Sequence, residues 1–389
     1  MAGSTRALWG KRIGLALAST LLSLLVGELA LRALGVEASR WAHPNHLEAD
    51  DKRALIDAYP DDPRGYFDLD LRDAETRERW RSVGALEEIA ERTPHAVGLR
   101  FDEDLCRLHA PHRLREAGAT VVARRVLIVG DSFAEGQGVR DEDTFAARLD
   151  RSLGAGVDVV NCGRRGYDFP TLDDAFEARL VAKAPALVVY AMVLNDAQRS
   201  EAFAARQSYL DDWIVDRRRM LASHDASPPW WTPRLFTVID DRLEAARVGR
   251  ETLRWYVDLY GPPNADGWAA TQDHIVAMRD TARAHDAAFL VALLPLLVDL
   301  DGDYPFEDTT RTIRRALEAR GLAFHDTTPA LLGQPTESLW VHPTDHHPNE
   351  RAHRLLAEDL GAGHRLPFPR GRSSSVSSAA PPLKKVESP

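Results

Sequence analysis

Cysteine is almost absent from this sequence: 389 residues contain two, Cys106 and Cys162. So few exclude a small disulfide-stapled scaffold and any cysteine-based zinc cluster. The two can pair in an oxidising compartment, but sequence does not show whether their backbones come close enough. A basic face is missing too. Asp and Glu number 59 against 49 Lys and Arg, the formal net charge is -10, and no Lys/Arg block stands in the body of the chain. Binding a phosphate backbone needs such a block, so nucleic acid is excluded as a partner. What is present is 44% hydrophobic and 28% charged residues, enough for one substantial core, or one core plus a subdomain.

The N-terminus carries a localisation signal. Arg6, Lys11 and Arg12 precede Ile13–Gly27, an uncharged run of mostly Leu, Ala and Val. As a helix this run is roughly 22 Å long, short of a bilayer core of about 30 Å. Continuation to Leu34 spans it if Glu28 and Arg32, one turn apart in the favourable order, compensate each other near the far interface. The preceding cations put the N-terminus in the cytoplasm and export the rest, to the periplasm or cell surface. A cleaved signal peptide, ending near Ala33 and Gly35, is the alternative and would give a secreted protein. An uncleaved anchor over residues 1–36 is favoured.

Residues 37–122 are polar, broken by Pro60, Pro63 and Pro94, and read only as an N-terminal extension. Residues 371–389 have too few apolar side chains to offset the entropy of ordering and read as a disordered tail. Between them the pattern is regular. Arg125–Gly130, Val157–Asn161, Ala186–Ala191 and Ala288–Leu294 are short, nearly continuous apolar runs, as expected of strands buried on both faces of a parallel sheet. Helical patterns alternate with them over Asp143–Leu153, Leu172–Ala184, Trp268–His285 and Thr309–Arg320. A last short strand at Leu322–His325 and a helix at Asn349–Leu360, with Asn349 as N-cap, close the domain. The prediction is an α/β fold, a three-layer α/β/α sandwich with a central parallel sheet over residues 123–365. Residues 200–266, with Trp213, Trp230, Trp231 and Trp255, break the alternation and read as a helical insertion at the carboxyl edge of the sheet. It is either a lid or an ordinary packed excursion.

Four short segments sit beside predicted strand ends or helix starts. Gly130-Asp131-Ser132-Phe133 follows the first strand, where a hydroxyl points out of the sheet edge near backbone N–H groups able to hold an oxyanion. Asn161-Cys162-Gly163-Arg164-Arg165-Gly166-Tyr167 follows the second strand and Leu194-Asn195-Asp196 the third, while Asp345-His346-His347-Pro348-Asn349 precedes the last helix. Alone, a Gly-Asp-Ser tripeptide is a turn. In this order and context the segments resemble the four blocks of the SGNH (GDSL-like) hydrolases, over about residues 124–362. The resemblance is narrower to a membrane-anchored bacterial subgroup with a helical insertion before the fourth strand.

That resemblance implies a flavodoxin-like sheet and a serine esterase needing no metal or organic cofactor. Ser132 would be the nucleophile, His347 the base and Asp345 the acid orienting it. The backbone N–H groups of Ser132 and Gly166 and the amide of Asn195 would form the oxyanion hole. Two departures are visible. Val193 stands where the third block has Gly, which bears on loop geometry rather than on the donor. Asp345 lies two residues before His347, where the usual acid stands three before and this chain has Thr344. His346 is a rival base, disfavoured because Pro348-Asn349 aligns behind His347. Asp326 is a rival acid that reads as a turn cap. A metal site among His342, His346, His347 and His353 is disfavoured because Pro343 and Pro348 prevent one helix from presenting them.

The implied activity is hydrolysis of carboxylic esters through an acyl-enzyme on Ser132, with short acyl or acetyl groups on small molecules or carbohydrates as substrates. O-acyl transfer to an envelope polysaccharide uses the same residues. A non-catalytic protein of the same fold is the third reading.

Overall fold

The computed structural model describes residues 2–35, 102, 104, 106–108, 124–154, 156–164, 171–205, 233–342, 345–362, 366 and 367. Most of the predicted extension, the centre of the insertion, Gly166 and the C-terminal tail therefore lie outside the described residues. Five parallel strands form the centre: β1 (Arg124–Gly130), β2 (Val157–Asn161), β3 (Leu187–Met192), β4 (Ala288–Leu293) and β5 (Ala323–Asp326), in the order β2-β1-β3-β4-β5. The nine helices named here are α1 (Ala2–Ala33), α2 (Ser132–Glu135), α3 (Phe145–Leu153), α4 (Thr171–Lys183), α5 (Glu201–Ala204), α6 (Arg234–Leu259), α7 (Ala265–Ala284), α8 (Glu307–Ala319) and α9 (Glu350–Gly361).

The continuous apolar strands have a simple cause: both faces of the sheet are covered. Leu127, Val129, Val188, Tyr190 and Val291 share one core with Phe176 of α4, Ile275 and Met278 of α7 and Ile313 and Leu317 of α8. Their neighbours one residue along, Val126, Ile128, Val189, Ala191 and Leu290, share a second core with Phe145 and Leu149 of α3 and Leu356 and Leu360 of α9. The alternation of strand side chains thus divides a single run between two layers. The architecture is the predicted three-layer α/β/α sandwich.

The last motif takes a form that the sequence pattern did not suggest. Strands β6 (Trp340–His342) and β7 (Asp345–Pro348) make a small antiparallel hairpin ahead of α9. Asn349 caps α9 by accepting from Arg351 N at 3.0 Å and Ala352 N at 3.2 Å. Its amide donates back to the carbonyls of Ser338 (3.0 Å) and Trp340 (2.9 Å), fixing the hairpin to the helix.

Part of the supposed extension belongs to the core. Cys106 and Cys162 are joined in a disulfide, and Arg107 N donates to Asn161 O at 2.7 Å, placing Arg107 against the free edge of β2. Lys183 of α4 pairs with Asp102 (2.6 Å) and Asp104 (2.5 Å). The insertion is likewise stitched where it leaves and returns. The Asn264 amide donates to Gln198 O and Leu259 O, both at 2.9 Å, and its carbonyl accepts from Ser200 N at 2.9 Å. Leu253, Trp255 and Tyr256 of α6 pack on the first core, so this half of the insertion is integral to the domain.

Helix α1 holds a 25-residue stretch, Trp9–Ala33, long and apolar enough to cross a bilayer by length and composition.

His353, on α9, is fully buried against Phe145, with ring centroids 5.8 Å apart. Its Nδ1 accepts from Phe145 N at 3.1 Å. Burial, with the Arg107 and Arg148 guanidiniums as lesser causes, pulls its pKa down to about 3. The unfolded ring takes its proton near pH 6.5, so the stability contributed by a neutral His353 is complete above that pH and is lost progressively as pH falls toward 3. We expect the Tm of the wild type to fall more steeply between pH 7 and pH 4 than that of His353→Gln. Parallel Tm profiles would contradict the assignment.

Candidate active site

The winding of the sheet reverses at β1, which has β2 on one side and β3 on the other. In open α/β sheets such a reversal leaves a crevice at the carboxyl ends of the two flanking strands, because their connections depart to opposite faces. Ser132 follows β1 and Asn195 follows β3, so both belong to this crevice. Gly130, the last residue of β1, pairs with Ala191, and a Cβ there would fall 2.5 Å from the Ala191 carbonyl oxygen. Only glycine lets the chain turn this close to β3.

Asp131 begins the turn. It caps α2, one carboxylate oxygen accepting from Phe133 N at 2.9 Å. The other accepts from the Asn195 side-chain amide at 3.3 Å. A carboxylate read in sequence as a turn residue thus orients the amide of the third motif. Burial pushes the Asp131 carboxyl up, against the pull of the Phe133 N–H, the His347 ring and the Asn195 amide.

The β6–β7 hairpin brings a histidine to Ser132. His347 Nε2 lies 2.8 Å from Ser132 Oγ, across 215 positions of sequence. Its ring is largely buried and sits tilted beside Phe133, centroids 5.3 Å apart. His346 is exposed and stacks on Trp340, with centroids 3.8 Å apart and planes at 13°. Adjacent strand residues face opposite ways, which is why one of two neighbouring histidines meets the serine. Asp345 is paired with His342 in the hairpin backbone; its side chain, like Gly166, lies outside what is described. Asp326 lies at the end of β5, with one carboxylate oxygen accepting from Thr328 N at 2.9 Å and the other 3.1 Å from Arg314 Nη2. Among the described residues, no group of three or more His, Cys, Asp or Glu is placed to hold a metal ion.

The remaining blocks act as supports. Asn161 accepts from Gly163 N at 3.0 Å and donates to Glu135 O at 3.3 Å. A Cβ on Gly163 would lie 2.3 Å from Glu135 N, so the second motif presses directly on α2. Val193, the departure from the family pattern, is fully buried in the second core, and its φ is not positive. The loop therefore makes no demand for glycine there. Its N–H donates to Asp196 at 3.0 Å, and the same carboxylate oxygen accepts from Tyr190 OH at 2.6 Å.

Sequence reasoning missed Arg107. It is 2% exposed, and its guanidinium donates to the carbonyls of Glu135 (2.9 Å), Gly136 (2.6 Å) and Val139 (2.5 Å) and to Asp141 (2.8 Å). The planar fork gathers the turn that leaves the Ser132 helix. Its only sequence signal was its place next to one of two cysteines.

No family model and no curated protein matches the sequence. Among solved structures, the chain is similar to a protein described as lipolytic, of the G-D-S-L family, from Desulfitobacterium hafniense, at 17% identity over 61% of this chain and 97% of that one, with a TM-score of 0.36. It is also similar to an acetylxylan esterase from Geobacillus stearothermophilus (15% identity, 62% and 94% of the two chains, TM-score 0.35). A third is a psychrotrophic esterase from Pseudoalteromonas (13% identity, 61% and 94%, TM-score 0.35). At such scores the fold and site rest on the strand order and hydrogen bonds described above.

A serine hydroxyl bonded to an imidazole in a crevice can be deprotonated as it attacks an electrophile. Asp131→Asn removes an acceptor that holds the Asn195 amide, and a bond to a charged group is worth about 1.5–3 kcal/mol. Phosphonylation of Ser132 by a fluorophosphonate should then slow by roughly 10- to 100-fold. An unchanged labelling rate would show that Asp131 does not position Asn195 for reaction.

Proposed function

We propose that this chain is a serine ester hydrolase of the SGNH type that works outside the cytoplasm, tethered by α1. The observation that carries this reading is the 2.8 Å contact between His347 Nε2 and Ser132 Oγ at the point where the sheet reverses its winding. Ser132 Oγ attacks the carbonyl carbon of a carboxylic ester while His347 takes the hydroxyl proton. The carbonyl π electrons move onto oxygen, which Asn195 and the backbone N–H groups of Ser132 and Gly166 receive; each such donor lowers the barrier by about 3 kcal/mol. Collapse expels the alcohol, which leaves with the proton held by His347, and Ser132 retains the acyl group. Water, activated by the same imidazole, releases the acid. Asp345 takes the part of the group that holds the His347 tautomer and stabilises the imidazolium. It is two positions from His347 in one strand, and strand alternation puts both positions on one face.

Export is supported by the Cys106–Cys162 disulfide, because such bonds persist in oxidising compartments and are rare in the cytosol. The substrate class we assign is short-chain acyl, above all acetyl, esters of small molecules or carbohydrates met outside the cell membrane.

Wild type should release p-nitrophenol from a short-chain ester in a burst stoichiometric with enzyme, and Ser132→Ala should show none. His347→Ala should lower turnover by at least about 1,000-fold, by analogy with other acid–His–Ser systems, while His346→Ala should stay within a few-fold of wild type. Loss of activity in His346→Ala with retention in His347→Ala would overturn the assignment of the base. Absence of any p-nitrophenol release above the Ser132→Ala background in folded wild type would favour the non-catalytic reading.

A further inference from the structure

Among its described side chains, helix α6 exposes a stripe, flanked by exposed Arg242 and Gly249. At 100° per residue, Phe236, Ile239, Leu243, Arg247, Arg250 and Arg254 fall within an arc of about 80°, and every one is exposed. Phe236 is 60%, Ile239 45% and Leu243 65% accessible. The stripe is graded along the helix, apolar over the first turns and cationic beyond them, where Arg247 and Arg254 lie 3.6 Å and 3.9 Å from Glu251 and Asp258 in exposed pairs that a phosphate can displace. Clustered apolar side chains on an exposed helix face mark an interaction surface rather than ordinary surface composition.

The contacts of α1 indicate what covers it. The Glu28 carboxylate accepts from the first backbone N–H groups of α6, Arg234 N at 3.1 Å and Leu235 N at 2.8 Å, while Arg32 Nε donates to it at 2.7 Å. Leu235 packs over Gly27, where a Cβ would meet its methyls at 3.7 Å. An anion at a helix N-terminus is stabilised by the unpaired amides and the helix dipole, so this contact is an N-cap supplied by another helix. Its depth can be estimated. If the hydrocarbon begins after Arg12, a core of about 30 Å at 1.5 Å per residue ends near Arg32. Glu28 then lies about 6 Å beneath the outer edge. Interfacial helices sink their apolar face by about 5–10 Å, so the apolar turns of α6 start at the depth where such a face belongs.

We propose that α6 is an interfacial helix lying on the bilayer that α1 spans, with Phe236, Ile239 and Leu243 in the headgroup–acyl boundary and Arg247, Arg250 and Arg254 on lipid phosphates. This rests on reading α1 as an uncleaved anchor. Glu28 sets the depth, and the far end of α6 reaches the catalytic rim, where Tyr260 OH donates to Leu194 O at 3.0 Å, next to Asn195. The enzyme is thereby held to the membrane at two points, one spanning and one lateral.

The test uses the full chain in phosphatidylcholine–phosphatidylglycerol liposomes, with an environment-sensitive fluorophore on a single added cysteine, the native pair being joined. Positions are Leu22→Cys in α1, Ile239→Cys and Leu243→Cys in α6, and Glu318→Cys on exposed α8. The account predicts blue-shifted emission, quenching by nitroxide-labelled lipid and loss of iodide quenching at 22, 239 and 243, with the reverse at 318. In a Glu28→Gln background, the emission at 239 and 243 should shift to the red while that at 22 stays. If 22 is shielded by lipid but 239 and 243 behave as 318 does, the interfacial helix is wrong and the anchor stands. If 22 itself is open to iodide, the anchor reading fails and the inference falls with it.

Discussion

The reversal of winding at β1 is the constraint on which the rest depends. A parallel sheet buried on both faces offers few places where side chains from distant segments can meet in the open. The crevice between the ends of β1 and β3 is one of them. The order β2-β1-β3-β4-β5 sends one connection to each face, leaving Ser132 and Asn195 on neighbouring strand ends. The hairpin before α9 then closes over the gap with His347. Remote segments become a single site because of strand order, and the helices packed on either face keep that order rigid.

Around this crevice the buried polar groups are arranged to hold backbone, not to react. Asp131 fixes the start of the serine turn and the Asn195 amide together. Asp196 braces the loop after β3 through Val193 N and Tyr190 OH, and Arg107 gathers three carbonyls of the turn beyond Glu135. Each desolvated charge is costly alone and is offset by several directed bonds. The consequence is preorganisation: these donors and acceptors stand in place in the folded chain, which is what the proposed reaction would require of an oxyanion site.

Much of this was legible from sequence because the strands are buried on both faces. Arg125–Gly130 and its counterparts announce themselves as short apolar runs, and the observed strands differ from those runs by at most one residue at either end. Asn349 was recognisable as a helix cap for a local reason: its side chain reaches amides two and three residues ahead. What sequence hid was non-local. Nothing near Arg107 reveals that it slides beneath a turn thirty residues away. Asp131 looks like any turn aspartate until Asn195 is brought to it. Glu28 and Arg32 were readable as a compensating pair, but the two amides of α6 that also bind Glu28 lie more than 200 positions later. Val193 shows the converse: a departure from the family pattern that looked awkward in sequence fills a core position without strain.

The central claim is spatial, that one electrophile can be held at once by Ser132 and Asn195 in the crevice beside His347. A crystal structure of the protein after reaction with a short alkyl phosphonate tests it most directly. The account predicts continuous density from Ser132 Oγ to phosphorus, with the phosphonyl oxygen within hydrogen-bonding distance of the Asn195 amide and His347 adjacent. Phosphorus bound to another residue, or its oxygen turned away from Asn195 into solvent, would contradict it.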